Sequence, residues 1–354
     1  MTDPARLPES SGHRVLAIES SCDETAAAVV EGLTVRSSVI ASQIKVHAEF
    51  GGVVPELASR HHLDAIVPVI RAALRDADVE LGQLDALAVT DSPGLVGALL
   101  VGVMAARGLS LSAGLPLLGI HHLEGHLVSP FLGDDERAAR SFEPHMALVV
   151  SGGHTELVAV EAFGRYTKLG STRDDAVGEA YDKVSKMLGT GYPGGPVIDR
   201  LARSGDPEAI AFPRAMISKG LEFSFSGLKT AVAVHLEKKG MPTSRGALED
   251  LCASFQAAVV EVLVRKTIRA VQEVGASQVR VVGGVAANSG LRSAMTDAGA
   301  KYGFAFEAVP LQYCGDNAAM IAGAASLRLA HGMNSPVNVR STLSLDALSE
   351  ELAQ

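Results

Sequence analysis

Two segments nearly two hundred residues apart carry the clearest chemistry. The first is His121-His122-Leu123-Glu124-Gly125-His126, and the second is Cys314-Gly315-Asp316-Asn317-Ala318-Ala319. On a helix, His122 and His126 are four apart and share one face. Two imidazoles with the Asp316 carboxylate would make a metal site that keeps positions open for substrate or water. A structural metal would be closed by four protein ligands. The order of residues also excludes a zincin. There the Glu directly follows the first His, whereas Glu124 lies two positions after His122, about 200° round the helix. An i,i+4 His pair alone is as often two ordinary surface histidines, so the metal reading rests on context.

Three small-residue turns could face a nucleotide. Ser151-Gly152-Gly153-His154-Thr155 has the composition of a phosphate cradle, because glycine lets backbone N–H groups approach an anion and the hydroxyls add donors. Gly283-Gly284-Val285-Ala286-Ala287-Asn288 sits at a strand end before a helix, where α/β folds bind ligands. Tyr192-Pro193-Gly194-Gly195-Pro196 is a rigid turn that could support a flat base. Each could equally be a plain structural turn. The acidic run Asp174 to Lys183 leads into a helix, with Glu179 and Asp182 on one face. A carboxylate there could hold ribose hydroxyls, or it could be a solvated helix face. Asp23-Glu24 is a second acidic pair, in a turn.

The elements that must position these residues are written twice along the chain. Strand Val15 to Ile18 leads through a polar turn into strand Ala26 to Val30; strand Met146 to Val150 leads through Ser151 to Glu156 into strand Leu157 to Val160. Strand Leu87 to Thr90 feeds a long apolar helix, as strand Val279 to Val282 feeds a helix from near Gly290. Strand Leu117 to Ile120 runs into the His122 helix, as strand Phe304 to Val309 runs into the Asp316 helix. The candidate ligands therefore occupy equivalent places in two halves and would meet in the cleft between them. Leu63 to Arg75 and Leu248 to Val274 have helical periodicity, and Lys238 to Ser244 reads as a loop. The repeated order implies α/β layers.

Composition bounds the rest. A chain of 354 residues, 47% hydrophobic and 20% charged, suggests two domains. Its three cysteines, Cys22, Cys252 and Cys314, are odd in number and far apart, which predicts a reducing compartment. The first twelve residues are polar and lack a signal peptide's apolar region. Leu95 to Ala106 is apolar but too short to span a bilayer, and reads as a buried helix. A net charge of −9 argues against a stand-alone nucleic-acid binder, though a local basic strip or a second subunit could supply phosphate contacts.

Taken together, the segments 17–25, 51–60, 122–126, 150–155, 192–195, 223–230, 283–288 and 316–317 resemble those of the tRNA threonylcarbamoyladenosine transferases, the bacterial TsaD family. They run in order along nearly the whole chain. The resemblance implies the ASKHA (actin-like, hexokinase-like) fold: a lead-in over 1–13, an N-terminal α/β lobe over 14–140 completed by 316–345, and a C-terminal lobe over 141–315. It implies a cytoplasmic, metal-dependent acyltransferase with no membrane association. Such enzymes move the threonylcarbamoyl group of threonylcarbamoyl-adenylate to the exocyclic amine of the adenosine beside the anticodon, in tRNAs reading codons that start with A. AMP is released. The implied partners are tRNA, a TsaB-like paralogue and a TsaE-like ATPase. Residue by residue, it implies a divalent iron or zinc on His122, His126 and Asp316. Phosphate and carbamoyl contacts would fall to Val149, Val150, Ser151, Gly152 and Gly153. Asp182 and Asp199 would take ribose hydroxyls, and Gly195 and Asn288 the nucleoside. Asp23 and Glu24 would guide the attacking amine, chiefly by position.

Two other classes compete. A metallopeptidase is disfavoured by the place of Glu124 and by the nucleotide-type turns. A small-molecule kinase or ATPase of the same superfamily is disfavoured by the imidazole ligands, since such enzymes hold magnesium through carboxylates and water. For the tRNA path, Arg60, Lys183, Lys186 and Lys229 lie in or beside the cleft motifs.

Overall fold

The computed structural model describes residues 12–138, 142–333 and 336–353. Of the lead-in expected over 1–13, all but Gly12 and His13 lies outside the described residues. Two mixed sheets form the frame. The first is built from β1 (Arg14–Glu19), β2 (Glu24–Glu31), β3 (Thr34–Ser42), β4 (Ala86–Ser92) and β5 (Leu117–His121), in the order β3-β2-β1-β4-β5. The second uses β6 (His145–Val150), β7 (Thr155–Ala162), β8 (Arg165–Ser171), β9 (Gln278–Val282) and β10 (Ala305–Ala308), in the order β10-β9-β6-β7-β8. Each sheet puts its first strand at the centre. An antiparallel meander grows on one side and parallel strands on the other. The three repeats read in the sequence thus fall at matching places in two sheets of one topology.

The hairpins follow from local turns. The β2–β3 and β7–β8 connections pass through Gly32 and Gly164, both at positive φ, which glycine adopts without steric cost. Parallel neighbours need helical crossovers instead. These are α1 (Ile44–Ala48) with α2 (Pro55–Asp76), and α3 (Val96–Ala113), in the first half; α4 (His122–Val128) and the short α5 (Asp135–Ala138) lead out of it. The second half uses α6 (Val177–Leu188), α7 (Gly194–Ala202), α8 (Ser226–Lys239), α9 (Arg245–Val274) and α10 (Ser289–Tyr302); α11 (Ala318–Ala330) and α12 (Leu345–Leu352) close the chain.

Both faces of the first sheet are covered, which is why its central strands are continuously apolar. Leu16 and Ile18 of β1 pack with Ile66 and Val69 of α2 and Val103 of α3. Val15 and Ala17, on the opposite face, join a core that includes Leu127 of α4 and Ile321 of α11. Helix α11 is buried on nearly all sides, and its run of alanines lets it lie against β1, β2 and α4 together. Gly125 explains the tightness: a Cβ there would stand 2.9 Å from Ile321 Cδ1 and Met320 Cγ. The glycine between the two histidines is what brings α4 and α11 close.

Some expectations change. Helix α2 starts at Pro55, well before Leu63, and α8 runs into the segment expected as a loop from Lys238. Asp316 precedes α11 instead of lying on it. Helix α3 is longer than the apolar run at 95–106, long and apolar enough to cross a membrane by length and composition. It is buried on one face only: Ala98, Leu99 and Val103 pack inward, whereas Met104 is 60% and Leu111 85% exposed.

Candidate active site

Helix α4 begins as β5 ends, with His121 as its cap: Leu123 N–H donates to His121 Nδ1 at 3.1 Å. This start sets His122 and His126 on one face, ring centroids 4.8 Å apart. Asp316 arrives from the other direction, in the tight turn before α11. Asn317 locks that turn by accepting Met320 N–H and donating to Gly315 O. Asp316 Oδ1 then lies 3.4 Å from His122 Nε2 and 3.2 Å from His126 Nε2. One ligand atom from each of the three falls within 4.8 Å of the others.

The group fits a divalent cation. His126 is fully buried, and among the described residues its Nδ1 has no hydrogen-bond partner while its Nε2 meets only the Asp316 carboxylate, at 3.2 Å and without hydrogen-bond geometry. An orphaned buried imidazole is costly unless something satisfies it. A metal bound by one nitrogen each of His122 and His126 and one Asp316 oxygen would give His126 Nε2 a partner, with a donor set suited to iron or zinc. His122 is held from behind. Its Nδ1 is 3.0 Å from Glu19 Oε2 and 3.2 Å from Ser21 Oγ, and Glu19 is fixed in turn by Thr90 Oγ1–H at 2.7 Å. Burial opposes charge here, but Asp316 and Glu19 hold His122 well above the usual imidazole range. Burial pushes Asp316 up, and the two imidazoles more than reverse it, leaving the carboxyl well below its ordinary range. Burial lowers His126.

Glu124 is elsewhere, as its helical phase requires. It accepts Tyr166 O–H at 3.0 Å and Arg328 Nη2–H at 2.5 Å, in an ion pair with no exposed surface.

A cavity of 460 Å³ opens beside the three ligands. Asp23, Glu24, Gly152, Asp182, Gly195, Asp199 and Asn288 line it, and Asp316 does too. Asp316 therefore belongs to both the metal group and the cavity wall. The expected residues do not all reach it. Val149 and Val150 bury their side chains in β6, so only their backbone could serve a ligand. Ser151 Oγ is occupied within the turn, accepting His154 N–H at 3.1 Å. Gly152 and Gly153 have open space where a side chain would be, leaving their backbone approachable.

The polar groups differ in how engaged they are. Asp182 Oδ1 accepts Gly194 N–H at 2.6 Å, and burial with the charges of Asp23 and Glu179 pushes its carboxyl up to about 6. Asp199 uses both oxygens: Oδ1 accepts Ser289 N–H, Ser289 Oγ–H and Gln256 Nε2–H, and Oδ2 accepts Arg203 Nη2–H. Asp182 is thus the freer carboxylate. Asn288 caps α10 through Leu291 N–H and donates to Gln256 Oε1 at 2.7 Å. Of the basic candidates, Lys183 and Lys229 both pair with Asp175, Lys186 Nζ donates to Phe50 O, and Arg60 is exposed on α2.

Sequence reasoning gave no role to Glu19 or Gln256, whereas the Tyr192 turn expected to support a base does line the cavity, through Tyr192, Pro193, Gly195 and Pro196. Glu19 had one signal: an acid ending an otherwise apolar strand, directly before the turn that carries Asp23 and Glu24.

Comparison with known proteins adds the decisive observation. The family model for tRNA N6-adenosine threonylcarbamoyltransferase matches residues 34–323. The chain belongs to this family. The tRNA N6-adenosine threonylcarbamoyltransferase of Trichlorobacter lovleyi is 55% identical over 90% of this chain and 92% of its own length. That of Syntrophotalea carbinolica is 52% identical, over 94% and 97%. The frame is of ASKHA type, and solved structures share it. HypF of T. kodakarensis superposes with a TM-score of 0.60 at 12% identity, over 90% of this chain and 48% of that one. Component A of the Acidaminococcus fermentans (R)-2-hydroxyglutaryl-CoA dehydratase gives 0.50 at 15% identity, over 90% and 98%. At such identities these two likenesses concern the fold alone.

Proposed function

We propose that this chain transfers a threonylcarbamoyl group to the N6 amine of adenosine in tRNA, the activity for which its relatives are named. The donor is threonylcarbamoyl-adenylate, and the acceptor is the adenosine beside the anticodon in tRNAs reading codons that start with A. The observation that carries this reading is Asp316, shared between a metal-binding group and a cavity with ribose- and phosphate-type contacts. A peptidase needs no such cavity, and Glu124 is spent on Arg328.

The reaction joins the adenosine N6 to the carbamoyl carbon, breaks the bond from that carbon to the AMP phosphate oxygen, and releases one amine proton. In the Val149 to Gly153 segment Ser151 N–H is spent on His154 O, so the backbone N–H groups of Gly152 and Gly153 receive the phosphate and carbamoyl part. Asp182 accepts ribose hydroxyls, with Asp199 behind it. Gly195 leaves room for the nucleoside, and Asn288 contacts it. Asp23 and Glu24 orient the amine. Burial and the Asp23 charge push the Glu24 carboxyl up to about 9, so near pH 7 it is neutral and orients more than it abstracts. His122, His126 and Asp316 would hold the divalent metal, iron(II) or zinc, which would supply Lewis acidity and a template for the donor.

The division into lobes 14–140 with 316–345, and 141–315, is supported by α11, which packs on the first sheet although it follows the last strand of the second. We assign the exposed apolar face of α3 to a paralogous partner subunit, with a small ATPase completing the assembly. A tRNA substrate and three free cysteines support a cytoplasmic location.

The test incubates the metal-loaded protein with unmodified tRNA, threonylcarbamoyl-adenylate and the partner proteins, then digests the tRNA to nucleosides. Threonylcarbamoyladenosine is expected. Its absence, with the adenylate consumed or untouched, contradicts the reading.

A further inference from the structure

Asp23 ends the four-residue turn between β1 and β2 and Glu24 begins β2, and one imidazole holds the residue on each side of this acidic pair. His62, on α2, is fully buried. Its Nε2 is 3.0 Å from Cys22 O, and its Nδ1 is 2.7 Å from Thr25 Oγ1. A carbonyl can only accept, so Nε2 carries the proton and donates. Nδ1 is then the acceptor, and the Thr25 hydroxyl donates to it. The ring is a neutral imidazole with both nitrogens satisfied, bonded to the residue before Asp23 and the residue after Glu24.

The same ring ties the turn to a neighbouring segment. Gln43 Nε2 reaches His62 Nδ1 at 3.4 Å and Ala58 O at 3.3 Å, while Gln43 N–H donates to Asp23 O at 3.1 Å. Ser42 Oγ–H donates to Glu24 Oε1 at 2.7 Å. The residues before the acidic pair are held from α3 and α4: Ser20 Oγ–H donates to Ala98 O, Leu95 N–H donates to Ser21 O, and Ser21 Oγ lies 3.2 Å from His122 Nδ1. From Cys22 to Thr25, the side-chain contacts described come from α2 and residues 42–43.

We infer that His62 is a positioning residue for transfer: it fixes the backbone of Cys22 to Thr25, and so the direction in which Asp23 and Glu24 point into the cavity. The inference rests on the reading that these two carboxylates orient the amine. A group held through one ring loses alignment when the ring is removed, and misplacement by an ångström can cost about 10²-fold in rate. Binding of the adenylate, which uses the other wall of the cavity, is left in place.

The test is a kinetic split with a rescue and a cycle, on the full protein with its partners. His62→Leu keeps shape but no polar atom. Its kcat should fall by about tenfold or more, while the KM for adenylate and the metal content stay at parental values. His62→Gln can still donate to Cys22 O and should recover most of the rate. Thr25→Val removes one of the two bonds and should fall between them, which keeps the test usable if His62→Leu does not fold. In a Glu24→Ala, Asp23→Ala background, His62→Leu should cost little more, because residues acting as a unit are not additive. A multiplicative loss in that background, a rise in KM matching the loss of kcat, or parental kcat in His62→Leu overturns the inference. The Asp23→Ala and Glu24→Ala proteins separate the two layers. If both keep parental kcat, orientation by the turn is wrong and the role of His62 falls with it. If they lose kcat and His62→Leu does not, only the role of His62 is wrong.

Discussion

Glu19 Oε2 stands 3.0 Å from His122 Nδ1, on the side of the ring away from Asp316. A carboxylate behind a ligand imidazole fixes its tautomer and raises its basicity, and loss of such a partner costs about 10–100-fold in metal affinity. Glu19→Gln should therefore bind the metal that much more weakly, measured by chelator competition, while remaining folded. Parental affinity would remove Glu19 from the support of the site.

The Glu124–Arg328 pair makes the opposite prediction. Both side chains are buried, and breaking one partner leaves a charge without its counterpart, at about 3–5 kcal/mol. Glu124→Gln should lose stability of that order in urea unfolding but keep parental metal stoichiometry in the folded fraction. Loss of metal from folded protein would return Glu124 to the chemistry and revive the peptidase reading.

Asp182 yields a pH dependence. Its carboxyl is raised from 3.8 to about 6, so between those values the unfolded chain has shed a proton that the folded chain keeps. Stability falls as pH rises through that window and levels off above it. Asp182→Asn escapes this, and should exceed the parent by about 2–3 kcal/mol above pH 6 and match it below the lower limit. Ribose hydroxyls favour the ionised form, so adenylate affinity should rise with pH through about 6. Calorimetry between pH 5 and pH 7 checks this; a flat profile contradicts it.

Much of this was legible in the residues. The strand–turn–strand and strand–helix repeats were visible because the central strands are buried on both faces and stay apolar throughout. Strands β3 and β8 were not, because each is half-buried and mixes in polar residues, as Thr34, Arg36 and Ser38 do in β3. The ligand trio was legible from helical spacing and the internal symmetry. What the sequence hid were relations across long separations: Glu19 behind His122, Arg328 on Glu124, and one histidine holding the residue on each side of an acidic pair. Periodicity reports which face a residue occupies, but not which partner meets it there. The exposed side of α3 was hidden for the same reason, since an apolar helix reads alike whether one face or both are covered.

For tRNA, Lys183 and Lys229 already neutralise Asp175, whereas Arg60 is exposed and Lys186 is held only by a carbonyl. Arg60→Ala and Lys186→Ala should each reduce the salt slope of tRNA binding by about 1, and Lys183→Ala by less. Binding that does not respond to salt would contradict this path.

The central claim is that His122, His126 and Asp316 hold a divalent metal at the wall of the nucleotide cavity. The most direct measurement is the metal content and adenylate affinity of folded Asp316→Asn beside the parent. The account predicts that metal content drops to background and adenylate binding weakens with it, because one carboxylate serves both. Parental metal stoichiometry in folded Asp316→Asn, or full adenylate affinity without the metal, would contradict it.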